Sequence, residues 1–344
     1  MAGYRNTFLH LFRKPGTLLP TRWLAAWSGQ RFIVPVYHTV SDNTPEHIRH
    51  LYSVKTVRQF TADLDFLLKT YRPVNLAELE NLLHHGIPPT TNTFLLTFDD
   101  GLREFHDSIA PLLLQKGIPA ICFLNSDFVD NQGLFFRYKA SLLIGAFERK
   151  KQQTQHDPVI QWLRRYAPEQ HNIWSALLSI SYQNRGELDK LAAIIGYDFA
   201  DYLAKQKPYL SSDQILSLKN QGFYFGAHSC DHPEYRFLNI EEQIRQTRES
   251  VDRICNRFAL PYRAFAFPFT DFGVSRAFFQ NIYEQAPAIT SSFGSAGLKR
   301  DHFPQHIQRI PFETGRLNAR EILNNEYLYF LLKSLVGKNS IRRT

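Results

Sequence analysis

Apolar residues fall along this chain in two alternating rhythms. Short apolar runs recur at Phe32 to Tyr37, Phe94 to Phe98, Pro119 to Leu124, Phe223 to Ala227 and Tyr262 to Phe267. Each is strand-sized, and the flanking turn residues support that reading. Between them the spacing becomes helical. Val57, Phe60, Leu64 and Leu67 mark one amphipathic stretch, and Leu76, Leu79, Leu82 and Leu83 another, stopped by Gly86 and Pro88-Pro89. Further helices are predicted up to Lys116-Gly117, over Ser212 to Lys219 and over Ile240 to Arg257. Strands alternating with helices predict a parallel sheet of βα units.

The alternation breaks between about Gly133 and Leu210. Tyr138 to Leu143 and Leu188 to Ala193 look helical, and the polar tract Glu148 to Asp157 reads as an exposed connection. This stretch is therefore a helical insertion of about 133–210. After it the strand-helix alternation resumes and runs through Arg309-Ile310-Pro311. No internal repeat or low-complexity segment is visible.

A chain of 344 residues, 44% hydrophobic and 14% aromatic, has the material for a large folded core. Its net charge of +8 and pI near 9.3 favour anionic partners: a membrane surface, an acidic glycan or nucleic acid. Nucleic acid is disfavoured, because no recognition module and no dense basic run with interleaved aromatics is present. Cys122, Cys230 and Cys255 form neither a disulfide framework nor a Cys-x-x-Cys metal pair, which fits a reducing compartment. No signal-peptide pattern stands at the N-terminus, and no stretch reaches the ~20 apolar residues that span a bilayer. Cytoplasmic residence is expected. Two terminal segments, Leu9 to Trp27 and Tyr327 to Val336, mix aromatics and leucines with cations. They suit either a peripheral membrane contact or packing against the fold.

The chemistry concentrates in two motifs. Thr97-Phe98-Asp99-Asp100-Gly101 puts two carboxylates at the end of an apolar strand, and His228-Ser229-Cys230-Asp231-His232 follows another. Either alone has a bland reading, as a solvated turn or as surface histidines. Together, one Asp and two His make a divalent-metal set that leaves coordination positions open, as a catalytic zinc-type site requires. The remaining aspartate then stands where a general base for water belongs.

These motifs resemble those of the polysaccharide deacetylase family, also called the NodB-homology domain or carbohydrate esterase family four. The resemblance covers roughly Arg31 to Phe312, interrupted by the insertion. It implies Asp99 as base, and Asp100, His228 and His232 as ligands of one divalent ion. Zinc suits such a ligand set, with cobalt or nickel as substitutes. A third segment, Ala264 to Phe269, looks like the family's strand ending in an aromatic-Pro-aromatic unit, although Thr270 stands where many members have Gly. By resemblance, the Phe269 backbone N–H helps hold the oxyanion. The family's C-terminal Leu-x-His acid motif is not recognisable. Val34-Pro35-Val36-Tyr37-His38 instead looks like the circularly permuted branch, in which the acid histidine comes first, with His302 and His306 as competitors.

The fold implied is a distorted (β/α)7-type TIM-like barrel. Residues 1–30 would form an N-terminal helical segment, 31–313 the barrel and 314–344 a helical tail. The insertion would lie on the catalytic face, either shaping the substrate groove or only packing there. The expected reaction is hydrolysis of the N-acetyl group of an amino sugar in a glycan, glycolipid or nucleotide-sugar. Its rivals are a sugar O-acetyl esterase, a deformylase-type C–N hydrolase and, from another class, a non-catalytic glycan-binding barrel.

Overall fold

Seven chain segments build the ring of a nearly closed parallel barrel in the computed structural model, which describes residues 19–86, 89–149, 161, 162, 165, 172–314 and 317–344. The strands are β1 (Phe32–Ile33), β2 (Pro35–Tyr37), β3 (Arg72–Pro73), β4 (Thr93–Phe94), β5 (Leu96–Phe98) and β6 (Ala120–Leu124). After the insertion come β7 (Tyr224–Ala227), β8 (Ala264–Ala266), β9 (Ser291–Gly294), β10 (His306–Gln308) and β11 (Ile310–Pro311). Eight of them form one sheet in the order β10-β9-β8-β7-β6-β5-β2-β11, all parallel.

The closure is made by one short stretch of chain. Residues 306–308 pair with β9 while Ile310 and Pro311 pair with β2 at the opposite edge, so Arg309 sits at the junction. Counted as continuous chain, 306–311 is the seventh ring segment, which is the expected (β/α)7 arrangement. The strand that opens the chain therefore neighbours the strand that ends the barrel. A smaller sheet, β1-β4-β3, continues two of the ring segments beyond Val34 and Leu95.

Alternation along the ring strands sorts their side chains between two cores. Val34, Leu95, Ile121, Phe123, Ala264, Ala266 and Phe293 form one buried cluster. Phe94, Leu96, Phe98, Cys122, Leu124, Phe225 and Phe265 join the surrounding helices in the other. Gly226 marks where the first of these is tightest. A Cβ there would come within 2.7 Å of the Phe123 ring and 2.8 Å of the Ala264 carbonyl oxygen.

The helices begin and end where the chain supplies caps. Thr56 and Ser211 each close a capping box over Val57–Thr70 and Ser212–Asn220. Gly86 and Gly117 end their helices in left-handed conformation. Pro88 and residues 150–157 of the polar tract lie outside the described residues.

Among the described residues of this stretch, helices Phe136–Arg149, Ile173–Ser179, Gly186–Ile195 and Phe199–Gln206 pack on a core of their own. Helix Thr21–Ser28 packs on the last helix, Ala319–Ser334, where Thr21 Oγ1 donates to Asn324 Oδ1 at 2.6 Å. Tyr327 and Phe330 of the last helix are buried, whereas Trp23, Trp27, Leu332, Leu335 and Val336 are exposed. Leu9 to Leu18 lie outside the described residues. Among the described residues no helix is long and apolar enough to cross a membrane.

Candidate active site

Every predicted site residue follows the C-terminal end of a ring strand, the end at which barrels of this kind assemble their chemistry. His38 follows β2, Asp99 and Asp100 follow β5, His228 follows β7, and Phe269 follows β8. The connections there are tightly wound. Asp100, Gly101, Ser229, His232 and Phe269 all have φ between 55° and 70°. Four of these five are not glycine, and left-handed conformations in side-chain-bearing residues gather at functional sites. At Gly101 a side chain would also collide with Leu124, whose Cδ2 would lie 2.7 Å from a Cβ.

Three ligand atoms converge. Asp100 Oδ1 is 3.2 Å from His232 Nε2 and 3.6 Å from His228 Nε2, and the three residues each present one donor atom within 4.8 Å of the others. All three side chains are buried, yet Asp100 Oδ1 and His228 Nε2 make no hydrogen bond. Buried polar atoms without partners are costly, so their aim at a common point fits a cation held between them. His228 is already oriented for it: its Nδ1 hydrogen-bonds the Ala266 carbonyl at 2.9 Å, which leaves the Nε2 lone pair free. Burial lowers its pKa to about 4, against the pull of the aspartates, so the ring is neutral at physiological pH. Phe135 and Phe269 pack around His232, one tilted and one edge-on, with centroids 4.1 and 4.7 Å away.

Cys230, between the two histidines, is not part of the cluster. It packs against the helix Ile240–Phe258 as a buried thiol, where its N–H donates to Gln246 Oε1 at 2.9 Å.

The two neighbouring aspartates have different surroundings. Burial would raise both, but Asp100 is drawn down by His232, His38 and His228, and Asp99 by Arg309 and His228. Arg309 binds Asp99 through both oxygens, at 2.6 and 2.7 Å. Asp100 Oδ2 accepts instead from the Tyr138 hydroxyl at 2.7 Å.

His38 belongs to this pocket and has a carboxylate partner. Its Nδ1 lies 2.6 Å from Glu313 Oε2, and Glu313 also accepts the backbone N–H groups of His38 and Thr39. Burial opposes charge on the ring, but Glu313, with Asp100 and Asp99 behind it, raises the His38 pKa to about 9. The side chain keeps a third of its surface open, toward two cavities. One, of 330 Å³, also touches Asp100, His232, Phe135, Arg137 and Leu178; the other, of 580 Å³, touches Asp99 and Arg309. Neither competitor histidine reaches these cavities. His302 is exposed, and His306 is buried against Phe267 and Phe279, bonded to Ser292 and Asp271. A second acid-His group, Asp271, Asp301 and His306, is filled by the Arg343 guanidinium, which bonds both aspartates at 2.6 Å.

Phe269 lines both cavities, and its N–H meets no acceptor among the described residues. The insertion reaches the site directly: Phe135, Arg137 and Leu178 wall the smaller cavity, and Tyr138 bonds Asp100. Arg309, Glu313 and Tyr138 are site residues that motif reading misses. A lone arginine immediately before Ile310-Pro311 and a lone acid two residues after that pair were the available signal for the first two. Tyr138 had none.

A parallel barrel of the TIM-like kind thus carries at its C-terminal rim an Asp-His-His set that could hold a metal ion, beside a second ionised aspartate. The polysaccharide deacetylase profile matches residues 86–281, more than half of the chain, and the chain belongs to that family. It is thus a carbohydrate esterase acting on N-acetyl C–N bonds, in a family that is generally metal-dependent. Solved structures share the fold at low identity. The Streptococcus pyogenes deacetylase PplD, in complex with acetate, is 13% identical with a TM-score of 0.54, over 86% of this chain and 97% of that one. IcaB from Ammonifex degensii is 15% identical with a TM-score of 0.53, over the same shares. A polysaccharide deacetylase from Bacillus cereus is 13% identical at 0.50, over 86% of this chain and 68% of that one. No curated protein sequence matches significantly. His38, Arg309 and Glu313 lie outside the matched segment.

Proposed function

We propose that this chain is a divalent-metal-dependent hydrolase that removes the N-acetyl group from an amino sugar. The observation that carries the reading is the unsatisfied convergence of Asp100, His228 and His232 between a fixed carboxylate, Asp99–Arg309, and a charged histidine, His38–Glu313. Asp100, His228 and His232 would hold the ion. Zinc suits two imidazoles and one carboxylate, and cobalt or nickel can take its place. When bound, such an ion supplies Lewis acidity to the acyl oxygen and to the attacking water.

The protein's own groups do the rest. Asp99, ionised and held by both arms of Arg309, accepts a proton from the attacking water. The Phe269 N–H donates to the oxygen of the acyl group as negative charge develops there, a contribution of ~3 kcal/mol for a donor of this kind. Glu313 takes the Nδ1–H of His38, so the transferable proton sits on Nε2. His38 gives that proton to the leaving nitrogen, which cannot depart as an amine anion. A histidine kept protonated near neutral pH favours the amide over an O-acetyl ester, whose leaving group needs less help.

The test is metal analysis of the purified protein together with acetate and formate release from N-acetylated, O-acetylated and N-formylated saccharides. Stoichiometric metal with acetate released fastest from the N-acetyl compound is the expected result. A protein that binds glycan and releases no acid from any of them is instead a binding barrel.

A further inference from the structure

The larger cavity does not stop at His38 and Asp99. It adjoins, across Phe272, Lys299, Tyr329 and Lys333, a second cavity of 640 Å³ that those same residues line together with most of the C-terminal stretch from Val336 to Thr344. The cations along this course come from separate elements: Arg236 after β7, Lys299 after β9, Lys333 on the last helix, and Lys338 and Arg342 beyond it. Among the described residues two acidic side chains line it, Asp99 and Asp271, and each is matched to a buried arginine, Arg309 and Arg343 respectively; the carboxyl of Thr344 lies at the far end, where it accepts the Arg276 N–H at 2.9 Å. Arg236 is bridged to Glu234 at 2.8 Å. The remaining lining is largely apolar and aromatic, with Phe272 56% exposed in it. A cleft in which cations outnumber acids, with low-dielectric walls, concentrates anions.

A neutral sugar has no use for that field. A single carboxylate would be matched by one cation, whereas here several are strung along two adjoining cavities leading away from the catalytic residues. Phosphoryl groups, with their several oxygens and up to two charges each, fit such a series. We propose that the amino sugar is presented as a phosphoester or diphosphoester, with the phosphate lying against Lys333, Lys338 and Arg342 and the carrier running out over Phe272. The sugar end of this inference rests on the deacetylase reading above; the anion subsite does not.

Two measurements separate them. Calorimetric titration of the metal-loaded full chain with inorganic phosphate should show binding that weakens about tenfold in Lys333→Glu/Arg342→Glu, the order expected for two partly exposed charge contacts. The exposed charge control Lys69→Glu, outside both cavities, should leave it unchanged. Phosphate bound equally well by the double variant sits elsewhere, at the metal for example, and overturns the subsite. So does an equal loss in Lys69→Glu. If circular dichroism shows the double variant unfolded, the single Lys333→Gln and Arg342→Gln chains, expected to lose a few-fold each, replace it. In the kinetic arm, the ratio of kcat/KM for an N-acetylhexosamine 1-phosphate over a neutral N-acetylated disaccharide should fall about tenfold in the double variant, through KM. A ratio that does not move, or a wild-type preference for an N-acetylated hexuronate over the phosphate, overturns the proposal. A nucleotide diphosphate sugar and a polyprenyl diphosphate sugar, compared by kcat/KM, tell a soluble carrier from a lipid one. Failure to release acetate from every sugar counts against the deacetylase reading alone, since phosphate titration still decides the subsite.

Discussion

Arg309 holds Asp99 by both carboxylate oxygens, Nη1 to Oδ1 at 2.6 Å and Nη2 to Oδ2 at 2.7 Å, with both side chains buried. The arginine stands at the junction of β10 and β11, where the barrel closes, and its Nε also donates to the Gly294 carbonyl at 3.0 Å. One side chain therefore links the closure of the ring to the position of the proposed base. Removing it leaves a buried carboxylate without its counter-charge. Arg309→Met should cost about 3–5 kcal/mol of stability, read from the denaturant midpoint. Arg309→Lys should recover part of that stability but not the two-point grip, so turnover should stay well below wild type. A methionine variant as stable as the parent would mean that the ion pair has no structural part.

The two aspartates should separate cleanly by metal content. Asp99→Asn should keep its metal and lose at least the ~10²-fold in kcat that a general base supplies. Asp100→Asn, or alanine at His228 or His232, should lose metal first and activity with it. Elemental analysis of the purified variants checks this. Full metal in Asp100→Asn with none in Asp99→Asn would exchange the two roles.

Tyr138 ties the insertion to the proposed ligand set. Its hydroxyl donates to Asp100 Oδ2 at 2.7 Å from the helix Phe136–Arg149, and the ring packs against His47 and Phe135. Losing a hydrogen bond that orients a metal ligand typically costs 10–100-fold in metal affinity or activity. Tyr138→Phe should fall in the range of about tenfold to a hundredfold, measured by competition with a chelator. Deleting the stretch of about 133–210 should then weaken the metal as well as the substrate. An affinity unchanged in Tyr138→Phe would leave the helix with a packing role only.

Much of this was legible in the sequence, and the reason differs from part to part. Five strand-bearing runs were readable because each is apolar and bounded by turn residues, whereas Ser291–Gly294, with little apolar character, was not; the proposed metal set was readable because its residues are contiguous within two loops. Asp99 and Asp100 share a turn, and His228 and His232 share another, so local spacing carries their geometry. Arg309 and Glu313 reach the same site from more than two hundred residues away, and only the closure of the ring brings them there. Tyr138 looks from sequence like any aromatic on a buried helix face. The two-segment character of 306–311 is also a tertiary effect: its ends pair with different neighbours because the barrel has to close.

The last prediction concerns His38 and Glu313. The carboxylate accepts the ring Nδ1–H across an N···O distance of 2.6 Å and, against the effect of burial, raises the His38 pKa to about 9. A group with a raised pKa is protonated below that value, so the acid form is available at neutral pH and is lost as pH rises. Hydrolysis of an unactivated amide should therefore decline as pH passes through about 9. Glu313→Gln keeps a hydrogen-bond acceptor but removes the charge. Burial then acts unopposed by the nearest carboxylate, and the alkaline limb should move down toward or below the ordinary histidine value of ~6.5. His38→Ala should lose amide hydrolysis while keeping its metal. Neither substitution should much affect an activated ester whose leaving group needs no proton, which separates the acid's role from damage to the site. Rate profiles of amide and ester on the same three proteins decide it. An amide limb that stays near pH 9 in Glu313→Gln, or an ester that falls as steeply as the amide in His38→Ala, would remove His38 from the role of proton donor.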